Sequence, residues 1–406
     1  MADITTFGGG GLTVNDVFGA VQRLDGWIES HRWQAYEPFD GLNAWLRPLA
    51  IGKVGRQALV QLALRSPVNL RPLLGIGPAT STKAMGYFAR GYLKLYEVAG
   101  DPRWLEKTDY CLEWLRNHPS ADQPGLSWGN HFDYQTRGYY LPKGQPTVVW
   151  TALIGHAFVD AFELLHRPAD LETAEQSAQF ILDGLERRAQ GQGVCISYVP
   201  TTYLAIHNAN MLAAGFLARV YQHTTDETLR QVAAEAVAYT VGAQHPEGSW
   251  WYAEESKFHW VDNWHTAYVL DSLWWYMQGT GDDSMAGAFE MGVQFWLDHF
   301  FLDDGTPRFY ADGTYPIDIQ CASQAIESLC LYRRAYDPSC LGLAAKVASW
   351  TISNMQDRDG HFYFRRTRRS VNKTPMLHWG QATMMYGLAS LLKEQKLGDK
   401  ADLASL

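Results

Sequence analysis

The chain has 406 residues, 47% of them hydrophobic and 19% charged, so it carries enough apolar surface for a large core and global disorder is excluded. A net charge of −9 argues against nonspecific binding of nucleic acid or of a membrane surface through the molecule as a whole. Aromatic residues make up 13%, with 16 Trp and 21 Tyr, which suits broad, flat ligands such as sugar rings as well as a core built from large side chains.

Residues 1–12, glycine-rich at 8–11, read as a flexible lead-in with neither the basic segment nor the apolar run of a secretory signal. No run approaches the roughly 18 apolar residues of a membrane-spanning helix. An amphipathic helix is predicted near 13–32. Apolar helices with polar or small openings follow over 81–100, 147–165, 203–221, 262–277, 318–336 and 377–392. More polar amphipathic helices stand between them at 102–118, 170–190, 226–244, 284–300 and 341–355. Anchored at Ala84, Ala152, Asn210, Ala267, Gln324 and Ala382, the apolar helices step by 68, 58, 57, 57 and 58 residues. Short aromatic stretches recur as well: GLSWGNHFDY at 125, GVCISYVP at 193, GSWWYAE at 248, GTPRFYA at 305 and GHFYFRR at 360. Each reads as a glycine turn and a short extended piece leading into the next apolar helix. A fixed period of this size marks an array of supersecondary units. Six hairpins close most economically into a ring, so the predicted fold is all-α, an (α/α)6 toroid forming a single domain over 13–406.

In such a ring the apolar helices point their first turns to one end. That convergence gathers the candidate site residues: Asp262, His265, His207, Asn208, Gln320, Asp318, His378, Trp379 and Gln381. The connections add Trp128, Asp133, Arg137, Tyr139, Tyr140, Trp250 and Glu254, making a sugar-sized polar and aromatic cleft. Helix N-termini there favour oxygen-rich or anionic ligands. Asp262 and Asp318 also sit where N-caps belong, and a lone histidine is more often a hydrogen-bonded core residue than a base. Capping alone, however, does not require His, Asn and Gln at matching positions of successive repeats. The run FRRTRRSVNK at 364–373 fits a solvated loop better than an anion clamp. Five cysteines, an odd number at irregular spacing, imply no disulfide framework or CxxC zinc site and point to a reducing cytoplasm. No HExxH occurs, and DRDG at 357–360 is only a fragment of a calcium loop, so neither metal nor cofactor is expected.

The repeated helices and their GxW/F connections resemble the six-hairpin glycan-active superfamily of glycoside hydrolases, unsaturated uronyl hydrolases, sugar epimerases and polysaccharide lyases. HWGQATMMYGL at 378–388 resembles the last inner helix of the uronyl hydrolases but lacks its arginine, and the chain's overall texture is similar to VpsJ-like polysaccharide-biosynthesis proteins. AQHPEGSW at 243–250 and MQDRDGHF at 355–362 also fit the Q-x3-G-x-W/F repeat of triterpene cyclases. VDNWHTA at 261–267 offers only one of the aspartates those enzymes use, and a cyclase cavity is apolar throughout. No Cys-His pair supports a lanthionine cyclase.

The resemblance implies an enzyme acting on an oligo- or polysaccharide, with acidic sugars favoured. Glycosidic hydrolysis, the favoured reaction, would use paired carboxylates, Asp262 and Asp318, with Asp133 and Glu254 in reserve. Epimerisation or β-elimination would instead use His207, His265 or His378, with Asn208 or Arg137 stabilising an enolate. Tyr139, Tyr140, Trp250 and Trp379 would serve as stacking platforms. A noncatalytic glycan-binding protein is the other alternative. No nucleic-acid partner and no membrane span are expected, and the oligomeric state is left open.

Overall fold

The computed structural model describes residues 11–404, with side chains to residue 397; residues 1–10 of the expected lead-in lie outside the described residues. In chain order the helices are α1 (Val14–Ser30), α2 (Gly52–Arg65), α3 (Thr82–Ala99), α4 (Pro102–Arg116), α5 (Val148–Leu165), α6 (Pro168–Asp183) and α7 (His207–Thr224). There follow α8 (Glu227–Val241), α9 (Asn263–Thr280), α10 (Ala286–His299), α11 (Ile319–Ala335), α12 (Cys340–Met355) and α13 (Thr383–Ala404), the last entered through a π-helical turn at Leu377–Ala382. Helices α3, α5, α7, α9, α11 and α13 stand in sequence round a bore, and α13 returns to α3. Outside them lie α4, α6, α8, α10 and α12, each against its preceding inner helix, while α1 packs on α13. This is the (α/α)6 toroid.

Local chemistry sets the hairpins. Four inner helices end on a left-handed residue, Gly100, His166, Thr225 or Gly281, which satisfies a terminal carbonyl through its N–H and turns the chain sharply. The N-cap of the outer helix follows at once: Asp101 caps α4 and Asp226 caps α8. Helix α5 is apolar and long enough to cross a membrane, but it stands inside the ring with most of its surface buried.

The recurring glycines have a common mechanical reason. A Cβ on Gly125, Gly193, Gly248, Gly305 or Gly360 would meet the backbone of the next outer helix, 2.3 Å from Met291 O at Gly248 and 2.1 Å from Arg23 O at Gly360. Gly248 and Gly360 also hold φ values of 100° and 106°, which only glycine adopts readily. The glutamine of the Q-x3-G pattern ties the same junction. Gln244 Nε2 donates to Ala288 O and Gly248 O, and Gln356 Nε2 donates to Ala20 O and Gly360 O. Trp128 and Trp250 donate their indole N–H to Leu115 O and Thr240 O, carbonyls in the last turns of α4 and α8.

Two features depart from the predicted elements. Residues 187–190, expected at the end of a helix, form strand β3 (Arg187–Gln190), paired antiparallel with β4 (Gly193–Ile196) across a turn at Gly191. Residues 33–80, to which the repeat assigns no element, fold into short 3₁₀ turns at Asp40–Asn43 and Arg47–Leu49 followed by α2. They form a cap with a small core of its own, Leu42, Leu59, Val60, Ala63, Leu74 and Ile76, packed against Phe39, Tyr134 and Tyr140.

Candidate functional site

The openings of the inner helices carry three pairings of histidine with carboxylate. Asp262 caps α9, accepting from the His265 backbone N–H at 3.0 Å through Oδ1. Its Oδ2 accepts from Trp260 Nε1 at 3.1 Å and from His265 Nδ1 at 2.7 Å. Because the carboxylate is an acceptor, Nδ1 carries the proton and Nε2 is left as the basic nitrogen. That Nε2 has no partner among the described residues, and the His265 side chain keeps 22% of its surface exposed. His207, at the start of α7, is committed on both nitrogens: Nε2 to Glu254 Oε1 at 2.9 Å and Nδ1 to Thr240 Oγ1 at 3.3 Å. Its hydrogen bond holds the Glu254 carboxyl below the ordinary value.

His378, in the π-helical turn, pairs through Nδ1 with Glu37, and its backbone N–H donates to the same carboxylate at 3.1 Å. Burial pushes the His378 imidazole down while the facing Glu37 opposes that shift. Beside it Lys83 lies 4.8 Å from the Trp150 ring. Lys83 has no hydrogen-bond acceptor among the described residues, and burial pushes it down to about 8 against the attraction of Glu37. Asn208 Oδ1, Gln320 Oε1 and Trp150 Nε1 are buried at this end without hydrogen-bond partners. Unsatisfied polar atoms of this kind are costly in a folded protein and are common where a ligand completes them.

Asp318 is placed differently. It is fully buried at the start of α11; Oδ1 accepts from Gln320 N at 2.9 Å and Trp379 Nε1 at 2.8 Å, and Oδ2 binds Arg365 at 2.8 and 2.6 Å. Every oxygen lone pair facing these donors is in use. Asp133 binds Arg47 and the Lys143 N–H beneath the cap. Tyr140 accepts from Arg47 at 3.2 Å and lies under Arg56. Gln381 is a clamp, accepting from Phe362 N and donating to Phe362 O. Asn210 holds Ile196 N and Ala236 O in the same manner, and Asn263 donates to Arg308 O. The matched amides of successive repeats therefore fasten the extended connections, which accounts for part of the pattern without a ligand. Trp128 is fully buried, Trp250 nearly so, and exposed Arg137 lies 5.4 Å from the Trp260 ring.

The expected sugar-sized hollow is not open at the helix openings. The space bounded by His207, Asn208, Tyr252, Trp260, Asp262 and His265 admits only about 10 Å³. The cap packs on the same end of the ring: Phe39 stacks on Tyr134 at 4.7 Å and meets Trp379 edge-on at 5.6 Å, and Tyr139 lies 5.9 Å from Tyr198. The larger space is a groove of about 520 Å³ just outside, lined by Arg65, Phe309, Tyr310, Tyr315, Phe364 and Arg365. Neither aspartate lines it, but each touches a lining residue: Tyr310 is bridged to Asp262 and Arg365 is bound to Asp318. The sequence reading missed Glu37 and Tyr315, which lie in no repeated element, and gave no role to Tyr310 although it belongs to the recurring stretch GTPRFYA. Among the described residues no group of three or more His, Cys, Asp or Glu is arranged to hold a metal.

The bore has a second polar region toward the C-terminal ends of the inner helices. Asp160 binds Arg90 at 2.7 Å and Arg219 at 2.8 Å, and Arg219 also holds Glu163. Asp271 accepts from Tyr332, Ser328 and Gln324, yet burial pushes it up to about 7. Glu327 lies 3.7 Å from Arg90; burial pushes it up to about 8, Arg90 opposing and Asp271 adding to the shift.

No family model matches the chain, and no curated protein sequence matches it. Solved structures do. Cellobiose 2-epimerase from Spirochaeta thermophila is similar at 13% identity and a TM-score of 0.60, over 80% of this chain and 88% of that one. The GH76 α-mannanase of Bacteroides thetaiotaomicron gives 13% and 0.62 over 79% and 88%. A D-mannose isomerase gives 9% and 0.62 over 94% and 97%. At such identities the likeness establishes the toroid fold.

Proposed function

We propose that the protein is a carbohydrate-active enzyme that rearranges a sugar by proton transfer at the carbon beside a carbonyl, the chemistry of an epimerase or isomerase. The observation that carries this reading is the Asp262–His265 pair, whose carboxylate fixes the imidazole tautomer and leaves Nε2 partnerless at the small space between the helix openings. His265 takes the C–H proton, the electron pair moves into the carbonyl to give an enediolate, and a proton returns to carbon from an acid on the other face. His378, whose Nδ1 is paired with Glu37 and whose Nε2 has no hydrogen-bond partner among the described residues, is the candidate for that acid. Asn208 and Lys83 supply a donor amide and a cation for the developing oxyanion. Epimerase and isomerase neighbours with the same fold support the reading.

Hydrolysis by Asp262 and Asp318 is less well served. A general acid must hold a proton and reach the leaving oxygen, and Asp318 is enclosed by Arg365 and Trp379. The pocket beside His265 is too small for a sugar ring, so binding displaces its own lining, Trp251, Tyr252 and Trp260, while the rest of the glycan lies in the outer groove. The test is incubation with cellobiose, mannose, mannobiose and uronate oligosaccharides in D₂O, read by NMR. Deuterium at C2 of a recovered or epimeric sugar is expected. New reducing ends or unsaturated ends without exchange at C2 would sink the proposal.

A further inference from the structure

The cap carries a surface that the proposed reaction does not use. Between Asp40 and Glu97 the chain has no acidic residue, although the whole protein is acidic. The inward stripe of α2, Leu59, Val60 and Ala63, is buried in the cap's core. The outward stripe of a surface helix is ordinarily polar; here Val54 and Leu62 lie on it. Trp45, Leu49, Ile51, Val54, Val68 and Leu73 are 62% to 84% exposed, and no comparable cluster of large apolar side chains is exposed elsewhere among the described residues. The ends of the segment are drawn together, since Trp45 Nε1 donates to Leu73 O.

Cations flank this surface. Lys53 on α2 has no carboxylate partner among the described residues; Arg65, at the edge shared with the groove, has none either. Asn372 Nδ2 donates to Ser66 O, which anchors the hairpin of β6 (Arg365–Arg366) and β7 (Val371–Asn372) beside the end of α2. Its tip brings Arg366, Arg368 and Arg369, likewise without carboxylate partners among the described residues.

We propose that the 45–73 cap and the 366–369 turn dock the protein on a bilayer surface containing anionic lipid, the apolar side chains entering the interface and the cations meeting headgroup phosphates. This inference does not rest on the reaction proposed above. Trp45 offers a sugar a flat face, but the other five side chains, leucine, isoleucine and valine, offer neither a flat face nor a hydrogen bond, so a glycan is the poorer fit.

The full chain is tested by flotation with phosphatidylcholine vesicles, with and without phosphatidylglycerol. Binding is expected only with phosphatidylglycerol and should fall as salt rises. Arg368→Gln with Arg369→Gln should weaken it about fivefold per cation removed. Ile51→Ser with Val54→Ser, at exposed positions, should weaken it at least as much while leaving the melting temperature unchanged. Failure of folded protein to float with phosphatidylglycerol vesicles would overturn the proposal. So would binding of a soluble polyuronate through Arg368 and Arg369 without vesicle binding, or a concentration-dependent dimer abolished by Ile51→Ser and Val54→Ser without vesicle binding.

Discussion

His265 combines one fixed nitrogen, one unused nitrogen and a partly exposed side chain, which no other histidine at this end of the ring does. His207 spends both on Thr240 and Glu254, and His378 is enclosed with Glu37. His265→Gln should therefore lower turnover by about 10³-fold, within the range of a lost general base. Asp262→Asn, which keeps a cap but no longer fixes the tautomer, should lower it by about 10²-fold, with KM little changed in either case. Asp318→Asn should behave as a stability variant. It leaves Arg365 uncompensated, costing about 3 kcal/mol in urea unfolding, because breaking a buried pair strands the surviving charge. From sequence, Asp262 and Asp318 look alike, each an aspartate opening an apolar helix. What separates them is Arg365 reaching Asp318 from a strand 47 positions away, a tertiary contact that spacing does not encode. Glu37 was illegible for the same reason, since its partner lies 341 residues along the chain.

At the level of the element, the recurring part is a glycine joint, reinforced by glutamine at Gly248 and Gly360 and by tryptophan at Gly125 and Gly248. Glycine lets the connection lie on the next outer helix, glutamine ties it there, and the indole satisfies a carbonyl near the end of the helix behind. Gly360→Ala should destabilise the protein by about 3 kcal/mol or more, combining a positive φ with a Cβ that collides with the α1 backbone. Gly287→Ala is the control, having open space around it and standing within a helix, and should be neutral or slightly stabilising in the same unfolding series. The joint is why the twelve ring helices were readable from sequence: a helix buried all round is apolar throughout, and each junction needs the same small residue. Helix α2 was not readable because it belongs to no repeat and is apolar on both its inner and outer stripes, leaving its period blurred.

For the molecule as a whole, the charged region in the far half of the bore makes stability depend on pH. Folding raises Glu327 to about 8 from an ordinary value of 4.5, so between those limits the unfolded chain has released a proton that the folded chain keeps. Stability supplied by that retained proton is greatest in acid and declines as pH climbs; Asp271, raised to about 7, acts in the same direction. Glu327→Gln should flatten the dependence of unfolding free energy on pH between about 5 and 8, by at most about 1 kcal/mol per pH unit, measured by denaturant titration across buffers.

The seam between the first and last hairpins has a temporal consequence. Five junctions form between hairpins that follow one another along the chain, but the sixth needs Gln356 to find Ala20, 336 residues earlier. Bringing such distant partners together carries the largest loop-closure entropy of any junction, so an open arc of hairpins should assemble first and the circle should shut last. Native-state hydrogen exchange would then find the α1 amides opening at lower free energy than those of α7, marking where the finished ring unzips.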